Sequence, residues 1–313
     1  MINKNSKIFI AGHRGMVGSA VERAFLKAGF NNIITKTRKE LNLLNYQEVG
    51  SLFSNEKFDY VILAAARVGG IQANISMPAE FLYENLQIQN NIIHHSYLSN
   101  VKKLLFFGSS CIYPKDCAQP MKEECLLSGK LEPTNEGYAM AKIAGIKMLK
   151  YYAKQYGFKS NSIMPCNLYG TNDSFHPQHA HVLSSLVRKF VDAVDNKDVE
   201  VNVWGTGIAR REFMHVDDAA AAALFYLENS DSEEFINVGW GVDISIKELA
   251  ELIAVEADFK GKITWDITKP DGMLKKCMDV TNMHKSGFSP TIYLAEGIKK
   301  TIKEYKNLKT IKL

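Results

Sequence analysis

Tyr138 and Lys142 stand four residues apart at the start of a stretch, residues 136–156, whose spacing predicts a helix, so phenol and ammonium share one face. An ammonium beside a phenol favours the phenolate, and the pair predicts a lowered tyrosine pKa. Such a tyrosine can hand a proton to a carbonyl oxygen that receives hydride. The preceding apolar strand ends in Gly108-Ser109-Ser110-Cys111. In an extended segment Ser109 and Cys111, two apart, point to one side. Ser109 is then placed to hydrogen-bond the same oxygen, with a thiol beside it. Most free cysteines are small buried hydrophobes, and that reading of Cys111 stays open here. His176, His179 and His181 cluster in a segment that contains Pro177 and lacks the helical spacing of a metal site, so no metal is expected.

These side chains need a scaffold. Residues 7–11 predict a short apolar strand that runs into Gly12-His13-Arg14-Gly15-Met16-Val17-Gly18, and residues 16–28 predict a helix stopped by Gly29. Further strands are expected at 33–34, 59–66, 103–108 and 160–164, with helices at 46–53, 78–98 and 136–156 between them. Continuous apolar strands alternating with amphipathic helices mean an α/β fold, a Rossmann-type doubly wound parallel sheet. After Asn167 the rhythm breaks, and a smaller C-terminal substrate-binding lobe is expected, with strands at 199–204 and 263–266 and helices at 219–228 and 245–255. Residues 1–170, with returning segments near 205–240, are assigned to the dinucleotide-binding domain, and 171–313 mainly to the other lobe. No Pro-, Ser- or Gly-rich linker divides them.

A glycine-rich turn between strand and helix lets a pyrophosphate approach the free N–H groups of the helix N-terminus. Gly12, Arg14, Gly15, Met16, Val17 and Gly18 are therefore candidate cofactor contacts. NAD sites carry an acid after the second strand, but this stretch reads Thr35-Lys36-Thr37-Arg38-Lys39. Arg14 and Arg38 suit a 2′-phosphate, whose oxygens match the guanidinium fork, so the expected cofactor is NADP(H).

Composition narrows the partners. Lys and Arg exceed Asp and Glu by 38 to 34, a net charge of +4 over 313 residues, too mild for a nucleic-acid surface. Part of that excess lies in Lys299, Lys300, Lys303, Lys306, Lys309 and Lys312, a solvated helix face and tail. The longest apolar run, residues 219–227, falls far short of the ~20 a membrane span needs. Five cysteines (111, 117, 125, 166 and 277) with no Cys-x-x-Cys pair argue against a disulfide framework. With no leader-like start before His13, the expectation is a cytoplasmic protein without membrane or nucleic-acid partners.

The glycine loop, Tyr138-x-x-x-Lys142 and Arg211-Glu212-Phe213-Met214-His215-Val216-Asp217-Asp218 together resemble the extended short-chain dehydrogenase/reductases. With residues 11–20, 63–71 (LAAARVGGI), 108–114 (GSSCIYP), 131–142 (LEPTNEGYAMAK), 175–182 and 269–272, the chain resembles the GDP-L-fucose synthase family over nearly its whole length. The resemblance implies an NADPH-dependent enzyme acting on a GDP-linked 4-keto-6-deoxy sugar, with two chemistries in one pocket. C3 and C5 are inverted through an enolate, with Cys111 and His181 as proton carriers; hydride then enters C4 while Tyr138 supplies the proton. It also implies that Lys142 holds the nicotinamide ribose and that Ala64, Ala65 and His181 touch the cofactor. Asn167, Val182, Lys189, Trp204, Arg211 and Lys276 would touch the substrate, Arg211 and Lys189 at the diphosphate. A homodimer is implied through the helices near 78–98 and 136–156, where Phe81, Leu82, Ile88, Ile92 and Ile93 exceed what one buried stripe needs. Gly137, Cys166, Thr171, Lys189 and residues 208–210 depart from the family pattern around the sugar pocket. A second reading therefore stands beside the first: a C4 reductase of another GDP-4-keto sugar, such as a heptose, with epimerisation absent or left to a partner enzyme.

Overall fold

The apolar runs become the centre of one parallel sheet. The computed structural model describes residues 2–311 apart from 178, 179, 231, 233 and 270, so His179 and Lys312 lie outside the described residues. The first half alternates β1 (Ile8–Ala11), α1 (Met16–Lys27), β2 (Ile33–Ile34), α2 (Tyr46–Glu56), β3 (Tyr60–Leu63), α3 (Ile71–Ser76), α4 (Pro78–Leu98), β4 (Lys103–Phe107), α5 (Glu136–Tyr156) and β5 (Ser160–Pro165). Then follow β6 (Asn167–Tyr169), α6 (Val182–Asn196), β7 (Glu200–Trp204), β8 (Arg210–His215), α7 (Val216–Asn229), β9 (Ile236–Val238), β10 (Asp243–Ser245), α8 (Ile246–Glu256), β11 (Lys262–Asp266), β12 (Lys275–Lys276), α9 (Thr281–Lys285) and α10 (Leu294–Ile311).

The main sheet has the order β2-β1-β3-β4-β5-β9, parallel throughout. The chain steps from β1 out to β2 and returns to β3 on the other side of β1. That reversal opens a crevice beyond the carboxyl ends of β1 and β3, where ligands of doubly wound sheets bind. A smaller sheet is built around β8, with β10 antiparallel to it and β6 and β12 parallel; β7 and β11 form a separate parallel pair. The sequence reading had no strand at β6, β8, β9, β10 or β12. These are pieces of two to six residues, too short for a period to show.

Two hydrophobic clusters underlie the sheets. Phe9, Ile10, Phe25, Phe53, Ile62 and Leu105 belong to the first, together with Met214, Val216 and Ala219 from the end of β8 and α7. The second gathers Leu186, Val187 and Phe190 of α6 with Val201, Leu249 and Ile298. Met278, Val280 and Met283, late in the chain, return to the first cluster.

Long helices α4 and α5 lie against each other. Gln89 Nε2 donates to Ala141 O at 2.6 Å, and a Cβ on Gly145 would come within 2.8 Å of Gln89 Oε1 and Phe106 Cζ. One expectation needs correcting here. Phe81, Ile92 and Ile93 are not surplus apolar surface but part of this chain's own interior. The exposed apolar side chains of the pair are instead Tyr83 and Leu98 on α4 and Met140, Tyr151 and Tyr156 on α5.

Candidate active site

Beyond β4 the chain does not stay extended, as the spacing of Ser109 and Cys111 had suggested. Residues 110–112 coil into a single 3₁₀ turn, capped by Ser109, whose Oγ accepts the Cys111 N–H at 3.2 Å. The turn, not strand alternation, sets the two side chains near one another, because the cap bond costs less than an uncapped backbone N–H. Tyr138 lies in the first turn of α5, and Lys142 one turn on.

Lys142 is 3% exposed; its Nζ donates to Phe107 O at 2.8 Å and sits 4.7 Å above the Phe106 ring and 5.8 Å from the Tyr138 ring centre. Burial pushes its ammonium down to about 7. The Tyr138 phenol moves the other way from expectation: burial, and then the neighbouring Cys111, push it well above its ordinary value, while the Ser109 hydroxyl opposes the rise. Lys142 spends its hydrogen bond on a carbonyl and is itself easily neutralised, so it does not offset the desolvation. Tyr138 thus remains a phenol, the form a proton donor needs.

Cys111 is half-buried and approached from two sides. Asn135 Nδ2 donates to Sγ at 3.2 Å, and Lys276 Nζ lies 3.5 Å from the same sulfur. Asn135 was missed in the sequence. Its only signal was its place three residues before Tyr138, where an asparagine would ordinarily cap the helix. Its side chain makes no cap bond, and Oδ1 is buried without a hydrogen-bond partner.

At the sheet's switch point the backbone forms a cradle that side chains would fill. Gly12 has φ +95°, and a Cβ there would lie 2.7 Å from the Ala65 backbone; on Gly18 it would lie 2.1 Å from Gly12 O. Gly15 begins α1 with no side-chain cap and no acid in the first turn, so Met16, Val17 and Gly18 present the positive end of the helix. Ala64, whose N–H bonds Ala11 O at 3.1 Å, borders the same crevice. Arg14 and Arg38 are exposed beyond the adjacent strands β1 and β2. The nearest acid, Glu40, accepts the Thr37 N–H at 2.8 Å and is held below the usual carboxylate range by Thr37, Lys36 and Arg14. The cradle, the uncapped helix and the two guanidinium groups fit a dinucleotide with a 2′-phosphate.

The expected substrate contacts divide into separate groups. The Arg211 fork holds the 271–273 turn, donating to Met273 O at 2.5 Å and Asp271 O at 3.4 Å. Beside it Glu212, 1% exposed, accepts the N–H groups of Met278 and Gly241 at 2.8 Å each; burial pushes its carboxyl up to about 7. Asn167 Nδ2 ties β6 to β8 through Glu212 O at 2.8 Å. Trp204, 64% exposed, has Lys189 Nζ 5.9 Å and Lys269 Nζ 5.6 Å from its ring centre, and Lys189 also donates to Asn202 O at 2.8 Å. His181 is the exposed N-cap residue of α6, followed by exposed Val182, and lies near the half-buried Asp173 carboxyl. Of the substrate set, Lys276 reaches Cys111.

A glycine cradle at the switch point of a parallel sheet, with serine, tyrosine and lysine at the neighbouring strand end, defines a nicotinamide-dependent short-chain dehydrogenase/reductase. Residues 8–239 match the NAD dependent epimerase/dehydratase family. A putative GDP-L-fucose synthase of Arabidopsis thaliana is 52% identical, covering 97% of this chain and 93% of its own. The GDP-L-fucose synthase of Escherichia coli (strain K12) is 49% identical, over 94% and 95%. Among solved structures, a GDP-6-OMe-4-keto-L-xylo-heptose reductase from C. jejuni matches with a TM-score of 0.93 and 38% identity over 98% of this chain and 99% of that one. A GDP-L-fucose synthetase from Naegleria fowleri bound to NADP gives 0.90 and 27%, over 99% and 97%. The chain belongs to the NAD dependent epimerase/dehydratase family and, within it, to the GDP-L-fucose synthases.

Proposed function

We propose that this enzyme converts GDP-4-keto-6-deoxymannose to GDP-L-fucose with NADPH. The observation that carries the reading is a sulfur that can accept a proton from carbon, set beside a phenol that can donate one to oxygen, with Ser109 between them. The 4-keto group acidifies C3–H and C5–H. Cys111, as the thiolate, takes such a proton, the electron pair of the C–H bond moves onto the C4 oxygen, and Ser109 and Tyr138 hold that oxygen. His181 exchanges a proton with the carbon from the opposite side, and this inverts the centre. When bound, NADPH supplies hydride to C4. Tyr138 then protonates the C4 oxygen, and Lys142 holds the nicotinamide ribose. Arg14 and Arg38 take the 2′-phosphate, while Gly12, Gly15 and Gly18 admit the pyrophosphate.

The GDP moiety lies along Asn167, Val182, Lys189, Trp204 and Arg211, in the cleft between the dinucleotide-binding domain (1–170 with the return near 205–240) and the remaining lobe. Exposed Tyr83, Leu98, Met140, Tyr151 and Tyr156 support a homodimer through α4 and α5. A mass in solution that stays monomeric at all concentrations overturns the dimer. No described helix is long and apolar enough to cross a membrane. Five free cysteines support a reducing compartment, which we read as the cytoplasm.

The likeness to the C. jejuni heptose reductase favours one competing reading, plain C4 reduction of another GDP-4-keto sugar. Turnover of GDP-4-keto-6-deoxymannose with NADPH in D₂O separates the two. GDP-fucose carrying deuterium at C3 and C5 supports the first. A reduced product with both centres unchanged, or no turnover, supports the second.

A further inference from the structure

Lys276 was expected beside the substrate, yet its ammonium lies 3.5 Å from Cys111 Sγ. It comes from β12, a two-residue strand whose register partner on β8 is Arg211, and it reaches the sulfur across 165 residues of chain. Arg211 turns its fork to the carbonyls of 271–273. Asn135 approaches the same sulfur at 3.2 Å, and in doing so leaves α5 without a side-chain cap. The groups facing Cys111 are thus Lys276 from β12, Asn135 and Tyr138 from the start of α5, and Ser109 from its own turn. Both nitrogen donors point at sulfur, which is how an anionic acceptor is held. A neighbouring ammonium also makes a thiolate easier to form.

We infer that Lys276 and Asn135 are positioning residues for Cys111, holding its sulfur ready to take the proton from C3 or C5. This rests on the epimerase reading above. In the step itself the C–H bond breaks, an S–H bond forms, and the electron pair passes to the C4 oxygen. Because Lys276 belongs to the small sheet and Cys111 to the end of β4, the base is complete only with the two lobes in contact.

The test uses the NADP⁺-loaded enzyme and two readouts. The first is alkylation of Cys111 by iodoacetamide at pH 7.5, followed by peptide mass, with half-buried Cys117 and Cys125 as internal references. The second is deuterium exchange at C3 and C5 of GDP-4-keto-6-deoxymannose across pH. Lys276→Met should slow Cys111 alkylation by roughly tenfold and Asn135→Ala by about threefold, with the reference cysteines unchanged. Exchange should fall in parallel, Lys276→Arg should restore most of both, and GDP affinity should hold. Wild-type alkylation in Lys276→Met together with weakened GDP binding would overturn the inference and leave Lys276 as a substrate contact only. Alkylation needs no substrate. If the wild-type enzyme shows no exchange, the epimerase reading falls, and the contact with sulfur is decided by alkylation alone.

Discussion

Two tyrosine–lysine pairs of identical spacing lie on two long helices, Tyr138 and Lys142 on α5 and Tyr305 and Lys309 on α10. Each puts phenol and ammonium on one helix face. On α10 that face meets carboxylates: Lys309 Nζ donates to Asp192 at 2.8 Å and Asp195 at 2.6 Å, and Tyr305 Oη donates to Asp192 at 3.0 Å. On α5 it meets a strand end, a carbonyl and a sulfur. The ammonium groups answer oppositely. Lys309 is pushed above its ordinary value by Asp192 and Asp195, whereas burial pushes Lys142 down to about 7. Tyr305 rises to about 12 through burial and Asp192, and there it has no reacting partner. The spacing sets a shared face; the neighbours of that face decide whether it anchors a helix or moves a proton.

Removing the phenols tests the contrast most severely. Tyr138→Phe should cut NADPH-dependent reduction by roughly 10²–10⁴-fold while deuterium exchange at C3 and C5 continues. Steady-state NADPH oxidation beside mass spectrometry of the sugar reads both, and equal loss of the two activities would erase the assigned division of labour.

The lysines should then differ in the sign of their effect on stability. Lys142 has a folded pKa near 7, below its unfolded 10.5, so the unfolded chain binds more protons between those values. The stability linked to Lys142 is present above about pH 10.5 and lost as pH falls towards 7. Lys142→Met should therefore stabilise the cofactor-free protein near pH 7, by on the order of 1–4 kcal/mol, and the gain should shrink as pH rises towards 10. Thermal melts of both proteins from pH 7 to 10 give the difference; a gain that grows with pH refutes it.

Arg38 asks whether an exposed cation can still be functional. Arg38→Ala should weaken NADPH binding by ~1.5–3 kcal/mol and leave NADH nearly unaffected. Fluorescence titration with both cofactors measures this, and equal losses would show that Arg38 does not read the 2′-phosphate. Smallest of all, Tyr305→Phe and Lys309→Met should leave turnover within about twofold and cost at most ~1 kcal/mol, since partly exposed ion pairs contribute little. Lys309 contributes stability that is full below its unfolded value and fades only as pH rises above it, opposite to Lys142.

Much of this was legible locally. The bounds of α4 and α5 follow from periodicity, and β1 with its glycine turn follows from an apolar run ending in residues that admit close backbone approach. The shared face of Tyr138 and Lys142 needs only helical geometry, and the absence of an acid after β2 needs only the order of residues 35–39. Each of these depends on neighbours within a few residues, so the sequence by itself determined them. The tertiary structure alone decided the rest: that Tyr138 rises rather than falls, that residues 110–112 turn, and that Glu212 braces the 241 and 278 backbones. It alone brought Asn135 and Lys276 to one sulfur. Desolvation depends on what covers a group, and a two-residue strand such as β12 acquires its place only from the sheet it joins. Neither has a period or a motif to announce it.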